Sequence, residues 1–344
     1  MGGLAGLVSA QPAAPRRFER PPKITLSITE TCPLDCLHCY GDCGSKTRPE
    51  LTAAEWGTLI DQLVADGVIQ FYIEGGEPFA RADFFEVLER CCPQAMTLVR
   101  SHGTPIDAAM ARRIRTVGVG RVFIDLMGAT AETHEVFTGV PGSFARSCAA
   151  VRHLGDAGVT VDVLVILTRQ TAPELNAMAR LTQALGAERL GVLRLYPLGR
   201  AKRRWADLAL SLEEQMAALA DLAPPPGLEV MQSWHPQDRN CCWQAAAINA
   251  FGDSIGCMYL REYVDFGNVR ATPFLESWHN DKLYRTLRDG KVEASCGGCS
   301  GHSGSDGGCR STAYAFHGRW SAPDPFCSTL NGGTDLTVLP AHLV

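Results

Sequence analysis

The sequence predicts an α/β protein built on a parallel sheet, either doubly wound or closed into a partial barrel, with a small cysteine-rich module behind it. Three observations predict it. Over the first two hundred residues, six apolar strand-like runs alternate with five helix-like stretches. A cysteine-rich loop and a Gly-Gly turn sit at the ends of neighbouring runs, where α/β folds gather their ligands. Seven of the fourteen cysteines fall after residue 240.

Each element has its own signal. Residues 24–29 form a short apolar strand, and the cysteine loop follows it. Thr52 with Glu55 three residues on is a capping box, opening a helix to about residue 66. The strand 69–74 stops at Gly75-Gly76-Glu77-Pro78. A helix over 83–90, a strand over 96–100, a helix over 106–117 and a strand over 121–126 follow. An amphipathic helix over 143–157 precedes the valine-rich strand 159–167, a helix over 173–185 and a last strand over 190–196. Such an alternation implies parallel βαβ units with right-handed crossovers. From 201 to 240 the character changes to a bridging segment, with the basic run Lys202-Arg203-Arg204, a helix over 211–222 and a break at Pro224-Pro225-Pro226. The basic run reads as a solvated helix face or as an electrostatic guide for an acidic substrate. Residues 1–21 and 331–344 read as tails.

Composition narrows the function. With 344 residues and 46% hydrophobic content, the chain can bury a large core. A net charge of −5 carries no general polyanion-binding signature, so nucleic acid is not expected as a partner. No apolar run approaches the ~18 residues of a membrane span. Residues 1–10 lack a basic n-region, and glycines break their apolar run, so no secretory address is read. A reducing cytoplasm is expected, which favours metal ligation by the cysteines over disulfides.

Cys32, Cys36 and Cys39 stand in Thr-Cys-Pro-Leu-Asp-Cys-Leu-His-Cys-Tyr, a C-x3-C-x2-C spacing that packs three thiolates on one loop. A cubane iron–sulfur cluster usually takes four cysteines, so three leave one iron open for chemistry. A structural zinc site with Cys43 as fourth ligand is the alternative. Two consecutive glycines, Gly75 and Gly76, free the backbone to approach a ligand closely, although a Gly-Gly pair also makes ordinary turns.

The cysteine loop, the strand-end Gly75-Gly76-Glu77-Pro78 and the strand–helix alternation together resemble the radical S-adenosylmethionine enzymes over residues 22–200. The resemblance implies a partial (β/α)6, TIM-like barrel in which Cys32, Cys36 and Cys39 hold a [4Fe–4S] cluster. It implies that the open iron is chelated by the amino and carboxylate groups of S-adenosylmethionine. His38 and Tyr40 would border the cofactor, with Gly75, Gly76, Glu77 and Pro78. Relatives often end the fourth strand in Ser-Leu-Asp-Gly, where this chain has Asp125-Leu126-Met127-Gly128. Asp125 is thus a cofactor candidate in a serine's place, and Thr168 is another at the end of the fifth strand.

The C-terminal cysteines resemble the SPASM extension of this family, an irregular module over residues 241–330 that carries auxiliary iron–sulfur clusters. Cys242, Gly252 and Cys257 give C-x9-G-x4-C, and Cys296, Cys299, Cys309 and Cys327 continue the pattern. The resemblance implies one auxiliary cluster on Cys241, Cys242, Cys257 and Cys309. A second would use Cys296, Cys299 and Cys327; Ser305 stands where the family has its cysteine, which leaves the fourth position to the Asp306 carboxylate, to water or to substrate, or leaves the second cluster out. A zinc ribbon is the structural alternative for the last four cysteines. Cys91, Cys92 and Cys148 read as buried thiols. Cys43 reads as loop packing or as a hydrogen-atom donor.

Family chemistry implies reductive cleavage of S-adenosylmethionine to a 5′-deoxyadenosyl radical, hydrogen-atom abstraction from substrate and electron return to an auxiliary cluster. The expected substrate is a ribosomally made peptide, modified by a cross-link, a thioether or side-chain oxidation. The alternatives are a small-molecule dehydrogenase or epimerase acting on an aminocyclitol or sugar, and a non-catalytic iron–sulfur or zinc scaffold. Expected partners are an electron donor such as flavodoxin or ferredoxin and a separate leader-peptide recognition protein.

Overall fold

The computed structural model describes residues 18–44, 48–234, 246–289, 292–293 and 308–343. In chain order come β1 (Lys23–Ser27), α1 (Ala53–Ala65), β2 (Gln70–Glu74), α2 (Phe84–Cys91), β3 (Met96–Ser101) and α3 (Ala108–Val117). Next are β4 (Arg121–Asp125), α4 (Ala131–Thr138), α5 (Ser143–Asp156), β5 (Val161–Leu167), α6 (Leu175–Ala184) and β6 (Arg189–Arg194). Three short helices follow, α7 (Gly199–Arg203), α8 (Trp205–Leu208) and α9 (Leu212–Ala220). The rest comprises β7 (Glu229–Gln232), β8 (Ala247–Ile248), α10 (Phe274–Asn280), α11 (Lys282–Asp289) and α12 (Arg310–His317).

All six expected strands form, and the sheet is larger than expected. Among the described residues it has eight strands in the order β7-β6-β5-β4-β3-β2-β1-β8, with every pairing parallel. The two added strands come from beyond residue 200 and close the two edges. Each is too short, at four and two residues, to show a period of its own. β8 is held by register, Thr25 opposite Ala247 and Leu26 opposite Ile248. Helix α4 also lay outside the expected elements. Its eight residues sit between glycine-rich turns, with Thr130 capping the start and left-handed Gly139 ending it.

Local chemistry explains the elements that were legible. At α1 the Thr52 hydroxyl accepts from the Glu55 N–H (3.2 Å) and Glu55 accepts from the Thr52 N–H (2.8 Å). β5 is buried along its whole length, as a strand covered on both faces must be. Its one charged residue, Asp162, is fully buried and paired with Arg121 on β4 and Arg189 on β6.

One apolar core runs from the sheet into the C-terminal segment, from Phe71 and Trp56 to Phe274, Phe326 and Leu336. The Trp205 indole N–H donates to the Leu336 carbonyl at 2.8 Å, and Arg194 meets Asp324 at 2.7 Å. The basic run is not a free positive surface. Lys202 pairs with Glu262 (2.7 Å), Arg203 with Asp42 (2.9 Å) and Arg204 with Asp207 (3.3 Å), so its field is locally neutralised. Among the described residues, no helix is long and apolar enough to cross a membrane.

Candidate cluster and cofactor site

The loop after β1 carries Cys32, Cys36 and Cys39 across the carboxyl ends of β1 to β4, and backbone bonds fix its course. The Asp35 and Leu37 N–H groups donate to the carbonyls of Thr138 and Phe137 at the end of α4, both at 2.9 Å. The Gly76 and Glu77 N–H groups donate to Thr29 (2.7 Å) and Thr31 (2.9 Å). Gly76 lies so close that a β-carbon would overlap the Thr31 carbonyl. This pair is therefore glycine because two backbones touch there.

A pocket of about 690 Å³, counting its open mouth, lies where these segments meet. Cys32, Cys36, His38, Cys39, Tyr40, Cys43, Gly75, Gly76 and Asp125 all line it. Thr168, Glu77 and Pro78 do not. Thr168 is fully buried and bonded to Thr171, capping the turn after β5. Glu77 turns inward, accepting from the Ser101 hydroxyl and the His102 N–H at 2.9 Å, and so ties the glycine turn to the end of β3. Pro78 opens the 3-10 turn behind it.

Among the lining residues outside the sequence candidates are two arginines and a carboxylate. Arg100, on β3, donates through Nε to both Asp125 carboxylate oxygens (3.1 and 3.0 Å). Glu74, the last residue of β2, accepts from the Tyr40 hydroxyl and, at 2.6 Å, from Ser27. Arg200, on α7, reaches the cysteine loop from the far side of the sheet. A strand-end charge just before a known motif is the one signal that could have found Glu74.

Burial pushes the Cys32 thiol up to about 12 and Cys36 well above its ordinary value. The Cys43 thiol donates to Cys39, pulling Cys39 down to about 6 while Cys43 itself is raised. A metal centre binding here must displace the protons of Cys32 and Cys36. His38 Nδ1 is buried without a hydrogen-bond partner. Burial, helped by Arg100, Arg200 and His134, pulls that ring down to about 3, so it is neutral.

These features fit an open-iron cluster and a polar cofactor. The donor set is three thiols on one pocket wall, and an orphaned ring nitrogen belongs to the same wall. Among the described residues no group of three His, Cys, Asp or Glu side chains converges for a single metal ion. A cubane instead spreads its thiolates over separate irons.

In the C-terminal segment, Cys257 and Cys309 are half-buried and Cys327 is buried. Asp324 organises two of them. It accepts from the Cys309 N–H (2.9 Å) and the Thr312 hydroxyl (2.7 Å), and its own carbonyl accepts from the Cys327 N–H (3.0 Å). Burial works against its ionisation, but Arg194 and these bonds outweigh it and hold the carboxyl below the usual range. Cys241, Cys242, Cys296, Cys299, Ser305 and Asp306 lie outside the described residues. Cys91 and Cys148 are buried and Cys92 is half-buried, and burial raises all three thiols.

The two cysteine-bearing segments touch. Tyr259, two residues past Cys257, stacks on Tyr196 (3.7 Å between centroids) and meets Tyr40 edge-on at 5.3 Å. Arg261 enters the same space, reaching the Ser27 hydroxyl at 3.1 Å and Glu74 at 3.5 Å.

One titration follows from this geometry. The Met127 N–H, at the pocket edge, donates to Nδ1 of fully buried His134 at 3.1 Å. Burial lowers that ring to about 4, and protonation at Nδ1 would break the bond. Its folded pKa lies below the unfolded ~6.5, so its stability contribution is present above pH ~6.5 and lost as pH falls toward 4. Urea titrations of the metal-free chain are expected to show a loss of about 3 kcal/mol from this ring over that window. His134→Gln, which keeps an acceptor but no titration, should flatten the slope. An unchanged slope would refute the assignment.

Residues 26–182 match the radical SAM superfamily and residues 241–300 match SPASM, the iron–sulfur cluster-binding domain. The chain is 30% identical to the mycofactocin maturase MftC of Mycobacterium tuberculosis, over 93% of its own length and 87% of the relative's. It is 28% identical to an AdoMet-dependent heme synthase of Methanosarcina barkeri, covering 89% of this chain and 96% of that one. The fold is shared with Streptococcus suis SuiB bound to S-adenosylmethionine, at a TM-score of 0.71 and 17% identity, over 90% of this chain and 78% of SuiB. The protein therefore belongs to the radical S-adenosylmethionine superfamily and carries a SPASM domain, with S-adenosylmethionine, a [4Fe–4S] cluster and auxiliary iron–sulfur clusters as its cofactors.

Proposed function

We propose that the protein is an oxidoreductase that matures a ribosomally made peptide by removing a hydrogen atom and then an electron from one of its side chains. When bound, the cluster and S-adenosylmethionine supply one-electron cleavage of the sulfonium to methionine and a 5′-deoxyadenosyl radical. The residues' part is to hold and shield. Cys32, Cys36 and Cys39 would ligate the irons, while Gly75, Gly76, His38, Tyr40 and Asp125 would border the cofactor. Arg100 fixes Asp125 at the pocket edge, and the Tyr40–Glu74 bond closes the floor beside it. Glu77 and Thr168 would act on this wall only through the turns they brace. Cys43, whose thiol already donates to Cys39, is a poorer candidate for hydrogen-atom donor than its place on the lining alone suggests.

The observation that carries the oxidative reading is the packing of Tyr259 against Tyr40. It brings the segment of Cys257, a proposed auxiliary ligand, to the pocket wall. Cys241, Cys242, Cys257 and Cys309 would hold an auxiliary cluster able to take up the electron given off by the substrate, with the proton lost to solvent. A second cluster would use Cys296, Cys299, Cys327 and Asp306. Likeness to a maturase supports a peptide substrate, and SuiB, which shares the fold, has been solved with its precursor peptide SuiA. Likeness to a heme synthase supports a second reading, a small-molecule substrate oxidised by the same chemistry. The proposed setting is a reducing cytoplasm, with flavodoxin or ferredoxin as donor and a separate protein presenting the leader peptide.

The test supplies the anaerobically reconstituted chain with S-adenosylmethionine, reductant and deuterated candidates of both classes. The proposal expects deuterium in 5′-deoxyadenosine from a peptide, and a product lighter by two hydrogens. Transfer from a small molecule alone would overturn the peptide reading. A product of unchanged mass would overturn the oxidation.

A further inference from the structure

Arg200 stands on α7, yet its bonds run to the cysteine loop some 160 residues earlier in the chain. Its Nε donates to the Cys36 carbonyl at 2.8 Å and its Nη1 to the Cys43 carbonyl at 2.9 Å. Its backbone N–H donates to the Cys39 carbonyl, also at 2.9 Å. Three points of the loop that bears the ligands are thus held by one residue. The guanidinium is 16% exposed and lines the pocket.

The surroundings of Arg200 are as specific as its bonds. Gly199, at φ +52°, lies so close to the Cys39 carbonyl that a β-carbon would overlap it, so α7 starts directly against the loop. The Gly199 N–H donates to Glu262 at 2.6 Å, and Glu262 also binds Lys202. α7 is therefore anchored to the segment that follows Cys257. Asp42 is the one described non-glycine residue with positive φ, +49°, and it accepts from both Arg200 (3.2 Å) and Arg203 (2.9 Å). Asp35 lies 3.5 Å from Arg200 Nε but is largely solvent-exposed, at 83%, and screened. Because Arg203 shares Asp42, the fork of Arg200 keeps positive charge on the pocket side.

We propose that Arg200 is a positioning residue for the reactive cluster: its fork sets the spacing of the Cys36 and Cys43 ends of the loop, and its charge makes the bound cluster easier to reduce. A lysine can carry the charge but cannot make two divergent bonds to the Cys36 and Cys43 carbonyls. Charge and fork are therefore separable. Nothing in this depends on the substrate, so it stands or falls apart from the peptide reading.

The test compares the reconstituted full chain with Arg200→Gln and Arg200→Lys. Two readouts are taken: the midpoint potential of the S-adenosylmethionine-responsive EPR signal, and its lifetime under a chelator. Arg200→Gln is expected to weaken reduction at least about tenfold, which is ~59 mV for one electron, and to shorten the lifetime several-fold. Arg200→Lys should recover the potential but not the lifetime. Wild-type potential and lifetime in Arg200→Gln would overturn the proposal, as would a lower melting temperature of the metal-free chain with both cluster readouts unmoved. If Arg200→Gln does not fold, a wild-type lifetime in Arg200→Lys would overturn the positioning role.

Discussion

Cys36→Ala is expected to lose about four irons per chain and to form no 5′-deoxyadenosine, while the metal-free fold keeps its melting temperature. The loss is total because the pocket offers no uncommitted thiol at that point. Cys43, the nearest spare thiol, is committed to Cys39 and buried. The fold survives because the loop's backbone bonds do not run through the thiol. Iron and sulfide analysis with chromatographic detection of 5′-deoxyadenosine checks this. Wild-type amounts of the nucleoside from the alanine variant would exclude Cys36 as a ligand.

Asp324→Ala carries the second largest effect, and it is structural as well as redox. Arg194 and Asp324 are 5% and 3% exposed, so removing the carboxylate strands a buried guanidinium, at a cost of about 3–5 kcal/mol. The Cys309 N–H loses its acceptor in the same step, and the Thr312 hydroxyl keeps only the Cys309 carbonyl. The melting temperature should fall and auxiliary-cluster iron should be lost, while the S-adenosylmethionine-responsive EPR signal persists. Asp324→Asn keeps an acceptor and loses only the charge, so it should fall between. Full auxiliary iron in the alanine variant would show that Asp324 does not organise the Cys309 segment.

What could be read in the sequence was local. The cysteine loop, the Gly75-Gly76 turn and the Thr52 capping box declare themselves by residue type within ten positions. Each holds its expected place at a strand or helix end. Arg100 and Arg200 were not legible, because an arginine has no type-specific spacing and their partners lie 25 and about 160 residues away. Thr168 is ambiguous for the opposite reason, since a hydroxyl at a strand end caps a turn as readily as it binds a cofactor. Helix α4 hid among glycines, yet its C-terminal carbonyls hold the loop at Asp35 and Leu37. The cysteines proposed for the auxiliary clusters stand out by spacing, whereas Asp324, which bonds the Cys309 and Cys327 segments, follows no motif.

Strands β7 and β8 have a consequence for how the chain is made. When the ribosome has released the first two hundred residues, β1 and β6 are both bare margins of a parallel sheet, with unpaired backbone along their length. The strands that cover them are translated 29 to 48 residues later. During that interval the nascent chain is an open-sided intermediate, vulnerable to pairing with its neighbours on the polysome. A fragment ending at residue 200 would carry that exposure permanently, so the sheet that bears the reactive site depends on the chain beyond residue 200 for the cover of both its margins.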